Sequence, residues 1–173
     1  MNIFLMGYMA SGKSVIGKEL AKVLNFNFVD LDQYIVEREQ LTITEIFTVK
    51  GEIYFRKKEH FYLKEILNSS EKKVVALGGG TPCYGNNLKL IHTAKNAKSI
   101  YLKSSVAELS KRLFNEKHTR PLLAHVETLT QMDEFVGKHL FERQFYYNQA
   151  HITVNVEKLE KNEIVQVILR NLF

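Results

Sequence analysis

The chain is poor in the residues that staple, punctuate or anchor a protein. Its single cysteine, Cys83, leaves no internal disulfide to form among 173 residues, which suits a reducing compartment. With two prolines and no Pro/Gly/Ser-rich tract there is no linker at which to divide it, so one domain is expected over residues 1–173, within the usual range of ~100–200 residues. No apolar run approaches the ~20 residues that span a bilayer. The opening run Ile3–Met6 is too short for a signal-peptide core and has no basic segment before it. A dense basic block is also missing: 24 Lys and Arg are scattered against 19 Asp and Glu for a net charge of +5, without the concentrated stripe of a nucleic-acid binder. The expectation is a globular cytoplasmic protein that engages neither nucleic acid nor membrane, with a charge balance suited to anionic ligands.

What the chain does have is an alternation of buried strands and helices. Asn2–Met6 is a continuous apolar run ending at Gly7, as in a strand covered on both faces. Val15, Ile16, Leu20, Val23 and Leu24 then repeat at helical spacing. Phe28–Asp30, Val74–Leu77, Ser99–Leu102 and Ile152–Val154 read as four further strands. Thr42-x-x-Glu45 reads as a capping box opening a helix that carries Ile46, Phe47 and Val49. Longer helices are expected over 54–67, through Leu109, Leu113 and Phe114, toward Tyr147, and over 164–172. The segment 115–125, with Arg120-Pro121, has no clean period and reads as a loop of some length, and long loops in compact domains are usually functional lids or disordered. This alternation predicts an α/β architecture: a central five-stranded parallel sheet with a helix layer on each face and ligands beyond the carboxyl ends of the strands.

The sharpest motif is Gly7-Tyr8-Met9-Ala10-Ser11-Gly12-Lys13-Ser14, a full match to G-x-x-x-x-G-K-[ST] between a buried strand and an amphipathic helix. Such a loop turns its backbone N–H groups onto phosphate oxygens, and the helix N-terminus adds positive potential. Lys13 then bridges the outer phosphates and the Ser14 hydroxyl ligates Mg²⁺. The expected ATP-binding set is Ala10, Ser11, Gly12, Lys13, Ser14 and Val15, although Val15 lacks the second hydroxyl common at its position. Asp30-Leu31-Asp32 ends the second strand. Read as strand residues two apart, both carboxylates face one cleft, one supporting the metal and one orienting or deprotonating an attacking hydroxyl; the competing reading is a helix cap. His118, His125 and His139 have no compact metal-ligand spacing, and Cys83 has no visible activating base. The aromatics Phe55, Tyr62, Phe141, Phe145 and Tyr146 read as core and helix packing.

Taken in order, the markers resemble the shikimate kinase family from Phe4 to about Val156. They are the phosphate loop, Phe28–Asp32, Ile43–Phe47, Gly51–Arg56 with Glu59, Gly78-Gly79-Gly80, Arg120-Pro121-Leu122-Leu123, and Arg143 with Tyr147 and Ala150. The resemblance implies a P-loop kinase fold with a lid. It also implies transfer of phosphate from ATP to the 3-hydroxyl of shikimate, with Mg²⁺ as cofactor, in a monomer that serves aromatic amino-acid biosynthesis. Residue by residue, it implies that Asp32 takes the acceptor proton, that Asp30 with Ser14 supports Mg²⁺, and that Arg56 and Arg143 grip the acceptor carboxylate. Gly78, Gly79 and Gly80 would line the acceptor site, Arg120 would close over the transferring phosphate, and Arg112 would stack on adenine. For Arg112 a helix-face salt bridge competes. Two other functions remain open on the residues alone: another small-molecule kinase of gluconate or nucleoside-monophosphate type, and a nucleotide-binding module without turnover.

Overall fold

The computed structural model describes residues 1–119, 123 and 125–173. Five parallel strands, β1 (Asn2–Met6), β2 (Asn27–Asp30), β3 (Lys73–Ala76), β4 (Ala97–Lys103) and β5 (Ile152–Asn155), form one sheet in the order β2-β3-β1-β4-β5. Strand β1 is buried along its whole length because both of its faces are covered. Ile3 and Leu5 join Ile16, Leu20, Ile164 and Ile168 in one apolar layer under α1 (Lys13–Leu24) and α8 (Lys161–Leu172). Phe4 and Met6, one residue out of phase, join the opposite layer with Leu31, Leu63, Leu113 and Val136. That second layer is built by α2 (Leu31–Glu39), α4 (Gly51–Asn68), α5 (Asn87–Thr93), α6 (Val106–Glu116) and α7 (Leu129–Tyr147). The expected three-layer α/β sandwich is the observed fold. No helix among the described residues is long and apolar enough to cross a membrane.

Several local expectations are corrected. Val15 and Val23 face solvent, and the buried face of α1 is Ile16, Gly17, Leu20 and Ala21. The capping box at Thr42 and Glu45 is formed, but its helix α3 (Ile43–Glu45) passes at once into a π-helical turn, Ile46–Lys50, where only Ile46 is buried. The span expected as a loop from 115 begins as helix, with Asn115 and Glu116 closing α6 and Lys117–Thr119 making a 3₁₀ turn. Phe141 and Phe145 are exposed rather than packed (77% and 69%). The buried stripe of α7 runs through Met132, Val136, Leu140 and Tyr147, and the two phenylalanines fall off it. Two helices went unread, α2 and α5.

The register places the carboxyl ends of three strands side by side. Asp30 pairs with Ala76, Leu5 with both Ala76 and Ile100. The residues that follow, Gly7 after β1, Leu31 after β2 and Gly78 after β3, therefore emerge along one rim of the sheet. The connection leaving β1 leads to β2 on one side, while that leaving the adjacent β3 leads to β4 on the other, and these opposite departures open a crevice at that rim.

Candidate active site

The phosphate loop is shaped by a few backbone requirements. Gly7 has φ +149°, and a Cβ there would lie 2.8 Å from the Leu102 carbonyl oxygen, so no side chain fits. Gly12, at φ +94°, is the N-cap of α1, and the first turn carries no carboxylate. Among the described residues no side chain caps this end of α1, and the helix dipole favours an anion there. Lys13 Nζ folds back over the loop and donates to the carbonyls of Gly7 and Tyr8, both at 2.8 Å. Ser11 Oγ is buried against Gly7 and, among the described residues, has no hydrogen-bond partner. A cavity of about 310 Å³ opens here, lined by the loop, Asp30, Asp32, Gly78 and Gly79.

The carboxylate pair reaches this cavity by a different route from the one expected. Asp30 ends β2, but Asp32 already lies in the first turn of α2, so the two do not share a strand face. Asp30 caps the helix, its Oδ1 accepting from the N–H groups of Asp32 (3.2 Å) and Gln33 (3.4 Å). Its Oδ2 accepts from Ser14 Oγ at 2.7 Å. The helix-cap reading and the site reading therefore describe one residue. A hydroxyl and a carboxylate in contact are hard oxygen donors, and a Mg²⁺ ion that keeps most of its waters fits them. Burial first, then the neighbouring Asp30 and Glu59 charges, push the Asp32 carboxyl up to about 6 against the opposing pull of Lys13 and Arg56. Its proton affinity is thus moved toward neutrality, as befits a proton acceptor.

Around Gly78-Gly79-Gly80 the side chains close in. A Cβ on Gly80 would lie 2.9 Å from Arg56 Nη2, one on Gly79 3.3 Å from Arg143 Nη1, and one on Gly78 2.9 Å from Asp32 Oδ1. The room left by the three absent side chains is taken up by the two arginines and the aspartate, which meet over a backbone floor. Arg56 is held from several sides: Nη1 donates to Glu59 Oε2 at 3.0 Å, Nε reaches Glu52 at 3.4 Å, and the guanidinium stacks 3.8 Å from the Tyr84 ring centre. Glu59 is itself 1% exposed and accepts a 2.6 Å bond from Thr81 Oγ1. Tyr147 donates to the Gly79 carbonyl at 2.5 Å and stacks on Tyr101, fixing the floor on the α7 side.

Every expected site residue within the described chain lies along this rim. Arg112 donates from Nε to Glu108 at 2.8 Å and from Nη1 to the Ala10 carbonyl at 3.3 Å, so its helix-face salt bridge and its approach to the phosphate loop coexist. Arg120 lies outside the described residues, with Pro121, Leu122 and Ala124. Cys83 is close to the site, but burial pushes its thiol up to about 11 despite Arg143 and Arg56, so it is no thiolate nucleophile. Sequence reasoning missed the supporting shell. The buried state of Glu59, its bond from Thr81, and the Tyr147 clasp on Gly79 rest on contacts across the fold. Glu59 and Tyr147 stood among the markers of the resemblance, but neither the partners they hold nor Thr81 could be read from the sequence.

A parallel sheet carrying a phosphate loop after β1, an acidic pair after β2 and a cationic acceptor floor after β3 defines a P-loop kinase of small molecules. The shikimate kinase family model matches residues 9–173. Shikimate kinase from Flavobacterium johnsoniae is 48% identical over 167 residues, covering 96% of each chain. The crystal structure of shikimate kinase from Bacteroides thetaiotaomicron aligns with a TM-score of 0.91 at 35% identity, covering 99% of this chain and 98% of that one. The Acinetobacter baumannii shikimate kinase in complex with shikimate aligns at 0.85 and 31% identity, covering 99% and 92%. The chain belongs to the shikimate kinase family, and its activity is ATP-dependent phosphorylation of shikimate.

Proposed function

We propose that the rim residues divide this reaction as follows. The observation that carries the reading is the meeting of Asp32, Arg56 and Arg143 over Gly78–Gly80, beside the phosphate loop. Arg56 and Arg143 grip the acceptor carboxylate, because a planar guanidinium pairs with it through two parallel N–H donors. This sets the 3-hydroxyl toward Asp32, which accepts its proton as the hydroxyl oxygen attacks the γ-phosphorus. The new P–O bond forms as the bond to the β-phosphate oxygen breaks, leaving shikimate 3-phosphate and ADP. Lys13 and the N–H groups of the loop and α1 hold the phosphate oxygens. Ser14 and Asp30 would hold Mg²⁺, which supplies charge neutralisation between the β- and γ-phosphates when bound. Arg120, outside the described residues, would add positive charge over the transferring group, the role the resemblance implies for it. We further infer a cytoplasmic monomer: a lone cysteine fits a reducing compartment, and all the assigned roles come from one chain.

The test is shikimate-dependent ADP release set beside ATP binding measured alone. A hydrogen bond to a charged group contributes roughly 1.5–3 kcal/mol, so Arg56→Ala should lower kcat/KM for shikimate about ten- to a hundred-fold or more and leave ATP affinity unchanged. Arg56→Lys should recover little, because an ammonium lacks the fork and the face that stacks on Tyr84. Loss of ATP binding with full shikimate turnover in Arg56→Ala would reverse the assignment.

A further inference from the structure

Tyr8 is the first variable residue of the phosphate loop, yet its side chain points away from the phosphates into the protein and is 1% exposed. Its hydroxyl lies 3.1 Å from Nδ1 of His139, 131 residues on in α7, and the two rings are tilted by 57° at 6.4 Å. The Arg143 guanidinium carbon lies 5.6 Å from the Tyr8 ring centre. His139 and Arg143 are one helical turn apart, so α7 grips a single aromatic ring with two side chains. Arg143 is also the group that would lie 3.3 Å from a Cβ on Gly79, which leaves it between the tyrosine and the acceptor floor. Burial pushes the Tyr8 phenol up to about 12 against the pull of Arg143. Burial, then Arg143, and further Lys138, lower the His139 pKa, with Glu142 opposing. Both rings are neutral near pH 7, and the charge of the trio belongs to Arg143. Phe135 packs on His139 from the next turn, ring centres 4.4 Å apart.

We propose that Tyr8, with its hydroxyl tethered to His139, is the positioning residue for Arg143, presenting the ring on which the acceptor-side guanidinium rests. The loop that holds the nucleotide phosphates thereby also sets the helix that holds the acceptor. The proposal rests on the reading of Arg143 as a carboxylate-binding residue, and the experiment separates the two.

Steady-state kinetics are measured with shikimate and ATP varied in turn for Tyr8→Leu, Tyr8→Phe, Arg143→Ala and the double variant Tyr8→Leu/Arg143→Ala. Losing a partly desolvated cation–π contact should raise the KM for shikimate about ten-fold in Tyr8→Leu, with the KM for ATP within about two-fold of wild type. Tyr8→Phe, which keeps the ring, should recover most of the shikimate KM. The double variant should be no worse than Arg143→Ala, because the tyrosine acts through the arginine. A raised shikimate KM in Arg143→Ala beside a wild-type one in Tyr8→Leu overturns the positioning role alone, as do effects that multiply in the double variant. An unchanged shikimate KM in Arg143→Ala overturns the reading of the arginine and the proposal with it. Should Tyr8→Leu fail to fold, His139→Leu removes the tether at a half-buried position. It should raise the shikimate KM about three-fold, with His139→Gln restoring it through a side-chain oxygen acceptor. No rise in His139→Leu overturns the tether.

Discussion

At Ala10 the backbone takes φ +60°, a left-handed conformation that a Cβ disfavours. The residue is held there by the bond from Arg112 Nη1 to its carbonyl and by the turn in which the Ser11 N–H meets the Tyr8 carbonyl at 3.3 Å. Ala10→Gly should therefore stabilise the fold by roughly 1 kcal/mol, raising the melting temperature about 2–4 °C; calorimetry checks it, and a lower melting temperature would show that the conformation carries no strain. The two aspartates invite a sharper division. Asparagine caps a helix as well as aspartate does, so Asp30→Asn should keep α2 in place and shift the Mg²⁺ requirement upward. Asp32→Asn, which removes the proton acceptor, should lower kcat about 10²–10⁴-fold with the KM for ATP little changed. Mg²⁺ and ATP titrations of both variants read the difference, and one shared kinetic signature would show that the roles are divided wrongly.

Helices α2 and α4 carry Asp32 and Arg56, and two carboxylates tie them together: Glu65 of α4 meets Tyr34 and Arg38 of α2, and Glu39 of α2 reaches the opposite helix. Glu39, the last residue of α2, accepts from Tyr54 at 2.5 Å, Tyr62 at 2.6 Å and Lys58 at 2.9 Å, all on one face of α4. Burial alone would raise its pKa, but the two phenols and the Lys58 ammonium outweigh that and bring it down to about 2. A pKa lowered from about 4.5 means that the folded state binds fewer protons than the unfolded one through this window. The contribution to stability is accordingly complete above pH 4.5 and is lost as the pH falls toward 2. Glu39→Gln should flatten the acid limb of stability over that interval. At pH 7 it should lower the melting temperature by roughly 3–8 °C. Thermal melts from pH 7 to 2 follow both effects, and parallel curves for wild type and variant would dissociate Glu39 from the clasp.

Across the whole molecule, legibility followed burial and motif. Strands β1, β3 and β4 could be read because an apolar run covered on both faces, such as Ile3–Met6, has few other homes. The edge strands β2 and β5, only partly buried, could be read from their short β-branched and aromatic runs. Helix α2 could not: of its nine residues only Leu31 and Ile35 are buried, too few for a stripe, and the acidic pair at its start reads equally as the end of a strand. Helix α5 is seven residues long, near the limit at which a period can be seen at all. The reactive groups were legible because phosphate, carboxylate and proton chemistry require particular residues at fixed spacings. Their supports were not, since Tyr8 meets His139 and Tyr147 meets Gly79 across 131 and 68 residues. The account makes the molecule a kinase whose acceptor is shikimate, in preference to other small hydroxyl-bearing anions. The most direct test of that claim is ATP-dependent ADP release against a panel of shikimate, gluconate and nucleoside monophosphates. Turnover with shikimate at a kcat/KM at least a hundred-fold above the rest is the predicted result, and equal or greater turnover with gluconate or a nucleotide would contradict it.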